Sequence, residues 1–212
     1  METQIKICGL TRSEDVEAAL LYGADMLGFI VEAKSSRRLT VAQAAQLSRP
    51  AFGAAKRVAV TVNATEDVLE CICADMRPDF IQFHGDESPK TIRYIGGFTG
   101  LPAIKAIPIR ERADLERAHD YAGCVDYILL DAKAPKGESQ RGGHGVSFDW
   151  SILKGFSSAT PLILAGGLNP ENIRAAKRTG ITFFDVSSGV EAKLGVKDHD
   201  KIQAFMKAAR EI

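Results

Sequence analysis

The chain has 212 residues, 45% of them hydrophobic and 25% charged, the composition of an ordinary globular protein, which excludes disorder, collagen and coiled coil. Its 27 basic residues balance its 27 acidic ones, so no overall field gathers nucleic acid or an anionic membrane, and any anionic ligand must be held locally. The length is compatible with one domain, and a single domain over residues 1–212 is the expectation.

The first six residues, Met1 to Lys6, lack a basic start followed by an apolar core, so no secretory signal is readable. From 5 to 8 runs a short β-branched segment that ends in Cys8 and Gly9. Thr11-Arg12-Ser13-Glu14 then has the spacing of a capping box and predicts a helix start. The apolar stretch over 18–31 is broken by Gly23 and Asp25 and is too short to span a bilayer. Its second half, 26–31, reads as a strand, and Thr40-Val41-Ala42-Gln43 predicts the next helix. Further strands are expected at 57–62, 80–84, 103–107, 127–131, 162–165 and 183–187. Between them Val68, Leu69, Ile72, Cys73 and Met76 recur at three- and four-residue steps, as do Ile202, Phe205, Met206 and Ala209, each set giving one apolar helical stripe. Asn169-Pro170-Glu171 places a cap before a proline at the first helical position.

Most strand runs are continuously apolar, as a parallel sheet covered on both faces requires. Strand ends near 8, 30, 62, 84, 106, 131, 165 and 187 recur mostly at about 22 to 25 residues, with wider intervals after 30 and 131. Eight βα units of this size predict a closed (β/α)8 TIM barrel, with the active site at the C-terminal ends of its strands. A doubly wound open sheet is the rival. It would need a glycine-rich dinucleotide turn after an early strand, and Cys8-Gly9-Leu10-Thr11 has no G-x-G-x-x-G. The longest irregular stretch is 132–147.

Four polar residues fall at strand ends: Cys8, His84, Asp131 and Asp185. A thiolate at Cys8 could serve as nucleophile or base, against the alternative of a small buried hydrophobe. Asp131 ends the apolar run Tyr127-Ile128-Leu129-Leu130, where a carboxylate needs a partner, water or chemistry to do. Gly166 and Gly167 after the seventh strand and Ser187 and Ser188 after the eighth offer backbone N–H groups where barrels of this kind commonly hold phosphate. Gly142-Gly143-His144-Gly145 has no phosphate-loop spacing and reads as a mobile loop able to close over substrate. Arg37 and Arg38, after the second strand, are either a solvated turn or a guanidinium able to grip a carboxylate bidentately. His119 and His199 lie in helical contexts, no His/Cys set has metal-ligand spacing, and no metal site is expected. The four cysteines are too few for a disulfide scaffold; in the expected cytoplasmic location they stay thiols, and Cys71 and Cys73 read as structural.

Lys6-Ile7-Cys8-Gly9-Leu10-Thr11, Gln82-Phe83-His84-Gly85-Asp86-Glu87, Phe148-Asp149-Trp150, Ala165-Gly166-Gly167-Leu168-Asn169-Pro170-Glu171-Asn172 and Phe184-Asp185-Val186-Ser187-Ser188-Gly189-Val190-Glu191 occur in order. Together they closely resemble the phosphoribosylanthranilate isomerases of tryptophan biosynthesis, over essentially the full length to Lys197-Asp198-His199-Asp200-Lys201. The resemblance implies an aldose–ketose isomerase. It would carry out the cofactor-free Amadori rearrangement of N-(5′-phosphoribosyl)anthranilate to 1-(2-carboxyphenylamino)-1-deoxyribulose 5-phosphate. It further implies Asp131 as general acid, Cys8 as general base, Arg37 on the anthranilate carboxylate with Arg38 as its substitute, and His84 and Asp185 lining the sugar pocket. The amides around Gly166, Gly167, Ser187 and Ser188 would hold the phosphate. Two positions depart from the family's pattern: Ala132 stands where threonine is frequent, and Thr61 where phenylalanine is frequent. Both bear on pocket packing and not on the reacting groups. Two rivals are another sugar-phosphate isomerase or epimerase on the same barrel, including the related histidine-pathway enzyme with its two aspartates, and a catalytically silent phosphometabolite-binding protein. Cys8 ending the first strand speaks against the former, and Cys8 with Asp131 against the latter.

Overall fold

A computed structural model describes residues 2–132 and 147–211. The glycine loop at 142–145 and most of the irregular stretch expected over 132–147 lie outside the described residues. Strands β1 (Gln4–Cys8), β2 (Met26–Glu32), β3 (Lys56–Thr61), β4 (Phe80–Phe83), β5 (Ala103–Ile109), β6 (Tyr127–Ala132), β7 (Leu162–Leu164) and β8 (Phe183–Val186) pair in chain order and close into a barrel. Every neighbouring pair is parallel, including β1 with β8 across the closing seam. The expected strands therefore all form, within two residues at either end. Helices α1 (Ser13–Leu21), α2 (Val41–Ser48), α3 (Glu66–Cys71), α4 (Pro89–Thr99), α5 (Arg117–Asp120), α6 (Ile173–Lys177) and α7 (His199–Arg210) intervene or follow.

Alternation along each strand decides what faces the barrel axis. Ile5 and Ile7 of β1, Ile128 and Leu130 of β6, and Phe184 and Val186 of β8 point outward into the layer between sheet and helices. Cys8, Met26, Val58, Val60, Ile104, Ala106, Leu129, Ile163, Ala165 and Phe183 point inward and form a separate cluster. Phe80, Tyr127 and Phe183 stack edge to tilted at its floor, with centroids 5.9 and 5.3 Å apart. This plug closes the N-terminal end, so the open side is the C-terminal one.

Helix termini follow the chemistry of their caps in some places and not in others. At α2 the capping box forms in full: Thr40 Oγ1 accepts from the Gln43 amide at 3.1 Å, and Gln43 Oε1 accepts from the Thr40 amide at 2.9 Å. The box expected at Thr11 does not form. Helix α1 starts at Ser13 with Arg12 at its cap position and no side-chain cap, while the Thr11 side chain is turned to the Gly195 carbonyl, to which its hydroxyl donates at 2.6 Å. Asn169 caps a turn, accepting from the Glu171 and Asn172 amides, and α6 begins only at Ile173. The stripe from Val68 to Met76 is one continuous element, but its second turn, Ile72–Met76, is a π-helix. Cys71 on it is exposed, which corrects the structural reading for that residue. The expected stripe of α7 is buried as a set: Ile202, Phe205, Met206 and Ala209.

One element has no counterpart in the sequence reading. After β8, a short 3-10 turn (Ser188–Val190) leads into an antiparallel hairpin of β9 (Glu191–Lys193) and β10 (Val196–Lys197). Gly195 makes its turn with φ +77°, a conformation that favours glycine. The hairpin sets Glu191 and Lys197 opposite each other beside the barrel mouth.

Candidate active site at the C-terminal mouth

Nine residues singled out from the sequence line a single pocket: Cys8, Arg37, His84, Asp131, Gly166, Gly167, Asp185, Ser187 and Ser188. Strand parity explains the inward-facing members. Cys8, Asp131 and Asp185 each sit two residues beyond an inward-facing neighbour and so share its face.

On β1, Cys8 pairs in register with Gly28 of β2. A Cβ at Gly28 would stand 2.7 Å from Cys8 Sγ and 3.1 Å from Lys6 Nζ, so this glycine makes the room that both side chains occupy. Lys6 is fully buried, lies opposite Asp185 across the seam, and donates to Asp185 Oδ1 at 2.8 Å. Burial pushes the Cys8 thiol above its ordinary value; Lys6 is the main opposing influence. For Lys6, burial acts downward, but Asp185 and Cys8 together outweigh it and hold the ammonium above its ordinary value.

Across the mouth, Gln82 of β4 and His84 just beyond it point inward with Asp131. Gln82 Nε2 lies 3.0 Å from His84 Nδ1, and His84 Nε2 lies 3.2 Å from Asp131 Oδ2. With the amide donating to Nδ1, the ring proton sits on Nε2 and is donated to Asp131, an assignment made from the network itself. The loop carrying His84 is braced from behind. Lys105 of β5 donates to the Gly85 carbonyl at 2.7 Å and to Glu87 Oε2 at 2.9 Å, and Glu87 Oε2 also accepts from the Gly85 amide.

The rim is built by the loops after β7 and β8. Gly166 and Gly167 have φ of +81° and +67°, and among the described residues their amides donate to no other group. A Cβ at Gly189 would lie 1.8 Å from the Leu168 carbonyl oxygen, so the two loops touch backbone to backbone. Gly166 and Gly167 from the first loop and Ser187 and Ser188 from the second all line the pocket.

Arg37 enters this pocket already engaged. Its Nε and Nη2 donate to Glu191 Oε1 and Oε2 at 2.6 and 2.7 Å, and the side chain is 2% exposed. Lys197 donates to the same Oε1 at 3.1 Å and to the Ser187 carbonyl at 3.0 Å. Burial alone would raise Glu191, but Arg37 and Lys197 outweigh it and hold the carboxyl below its ordinary value. The bidentate grip expected of Arg37 on a substrate carboxylate is thus made on Glu191, leaving Nη1 as its unengaged nitrogen among the described residues. Arg38 is exposed beside Glu32 and does not line the pocket.

Lys6, Gln82, Glu191 and Lys197 are functional candidates that the sequence reading did not single out. Counting back two residues from Cys8 and His84 would have found Lys6 and Gln82. Glu191 and Lys197 stand in the motifs that carry the family resemblance, but their pairing is recognisable only once the hairpin is folded.

The sequence profile of N-(5'phosphoribosyl)anthranilate (PRA) isomerase matches residues 5–208. The chain belongs to this family. The N-(5'-phosphoribosyl)anthranilate isomerase of Rhodospirillum rubrum is 48% identical over 215 residues, covering 99% of each chain. That of Agrobacterium fabrum is 47% identical, covering 97% of this chain and 94% of its own. Among solved structures, phosphoribosyl anthranilate isomerase from Thermotoga maritima superposes with a TM-score of 0.86 at 37% identity, covering 98% of both chains. A phosphoribosyl anthranilate isomerase in complex with reduced 1-(o-carboxyphenylamino)-1-deoxyribulose 5-phosphate superposes with a TM-score of 0.82 at 34% identity, again over 98% of both. Membership makes the chain an isomerase of tryptophan biosynthesis built on a TIM barrel.

Proposed function

We propose that this mouth performs the family's Amadori rearrangement with Asp131 as general acid and Cys8 as general base. The observation that carries the assignment is the convergence of these two side chains, from β6 and β1, on one pocket rimmed by the β7 and β8 loops. Asp131 gives its proton to the ribose ring oxygen, the C1′–O bond breaks, and an iminium forms. Cys8 takes the C2′ proton, and the electron pair of that bond moves to make the enolamine. Tautomerisation then places a proton on C1′ and leaves the C2′ ketone. Protons and electrons balance within substrate and protein, so no redox partner enters the sequence.

Once Asp131 has donated, its carboxylate accepts from His84 Nε2–H, which favours the transfer. The phosphate is held by the amides around Gly166, Gly167, Ser187 and Ser188. Arg37 reads the anthranilate carboxylate through Nη1, or through its full fork if Glu191 yields. Asp185 reaches the sugar pocket while anchored by Lys6. The whole chain acts as one barrel domain on a small phosphorylated substrate, in the cytoplasm; no described helix is long and apolar enough to cross a membrane. The test is the fluorescence decrease of phosphoribosylanthranilate on adding purified protein. Absence of turnover would remove the reading. Turnover surviving in Cys8→Ala would remove the assigned base alone.

A further inference from the structure

Lys6 has no part in the proton transfers just described, and its ammonium is fully buried on the barrel axis, where a charge is costly unless paired. Its place is determined by three contacts. Strand parity puts it on the same face as Cys8, two residues on. Asp185, its register partner across the seam, fixes the ammonium at 2.8 Å. Gly28, the register partner of Cys8, leaves a space that both the Lys6 Nζ and the Cys8 Sγ occupy. Both atoms border the space of a single missing side chain, 2.7 and 3.1 Å from its Cβ position, which keeps them within the ~4–6 Å at which an opposite charge favours the ionised form of its neighbour.

We infer that Lys6 is a positioning residue for the reaction: its ammonium, anchored by Asp185 and admitted by Gly28, holds the Cys8 thiolate toward the substrate and sets the proton affinity of the base. This rests on the reading of Cys8 as the base. Burial keeps this thiol above its ordinary value even with Lys6 in place, and Lys6 is the largest influence in the opposite direction, toward the thiolate that takes up the substrate proton. The charges that face Cys8 from the surrounding elements are Lys6 on its own strand, Asp185 on β8, Lys197 on β10 and Arg37 after β2. Arg37 and Lys197 share Glu191, and Asp185 opposes the thiolate, so Lys6 on the adjacent inward position is the cation placed to carry the effect.

The experiment follows Cys8 directly, by ultraviolet thiolate absorbance against pH, in a protein whose other three cysteines are serine. Lys6→Met is the first variant. Because it leaves Asp185 without its cation, Lys6→Met/Asp185→Asn is made alongside, removing the pair as a unit. In Lys6→Met the Cys8 ionisation is expected to move up by about one pH unit or more, and in the double variant by less, since the opposing carboxylate is gone too. The acid limb of kcat in Lys6→Met should move with it. Cys8 ionising at the parental pH in folded Lys6→Met, or ionising higher in the double variant than in Lys6→Met, would overturn the inference. The ionisation readout is independent of turnover, so an active Cys8→Ala protein would defeat the general-base reading without touching the measured Lys6–Cys8 coupling.

Discussion

At the scale of single residues the decisive question is which groups move protons. Cys8→Ala and Asp131→Asn are each expected to lower kcat/KM by ~10²-fold or more, with circular dichroism unchanged, since general acid–base transfer contributes about that much. A fall confined to KM would count against both roles. Cys8 also makes a prediction about stability. Burial raises its folded ionisation above the ordinary thiol value, so at intermediate pH the folded chain binds the proton more tightly than the unfolded one. That contribution is fully present below the ordinary thiol value and is lost as pH rises through the folded one. In urea titrations at neutral and alkaline pH, Cys8→Ser should therefore lose less stability on alkalinisation than the parent. An identical decline in both would show that the thiol is not perturbed.

At the scale of elements, the hairpin β9–β10 is fastened to the barrel by Glu191, with Arg37 and Lys197 as its buried partners. Removing one member of such a cluster strands the others in low dielectric. Glu191→Gln is expected to destabilise by ~3–5 kcal/mol, and Arg38→Ala by no more than about 0.5 kcal/mol, its partner being at the surface. Equal urea midpoints for the two variants would contradict this. In substrate binding, Arg37→Ala should raise KM more than Arg38→Ala, because only Arg37 lines the pocket. The elements themselves were mostly legible beforehand. Strand ends at Cys8, Asp131 and Asp185, the Thr40 box and the α7 stripe all follow from local pattern, whereas Thr11 does not cap: its side chain is turned to a distant carbonyl, that of Gly195, and Arg12 takes the cap position.

At the scale of the whole molecule, the anion site proposed for the β7 and β8 loops needs both strands side by side. Inorganic phosphate should raise the melting temperature, by about 2.7 kcal/mol at a hundredfold excess over Kd, or roughly 5–10 °C for a chain of this size. Gly189→Ala, whose new methyl would collide with the Leu168 carbonyl, should abolish that rise; a parental response in the variant would place the anion elsewhere. What the sequence by itself determined was the barrel, its strand ends and the two glycine-rich loops, because hydrophobic period and turn chemistry act over a few residues. Only the tertiary structure decided how the charges pair. Lys6 meets Asp185 across 179 residues of chain and Arg37 meets Glu191 across 154. Closing the barrel brings these partners together, and no pattern along the chain encodes which buried cation will find which carboxylate.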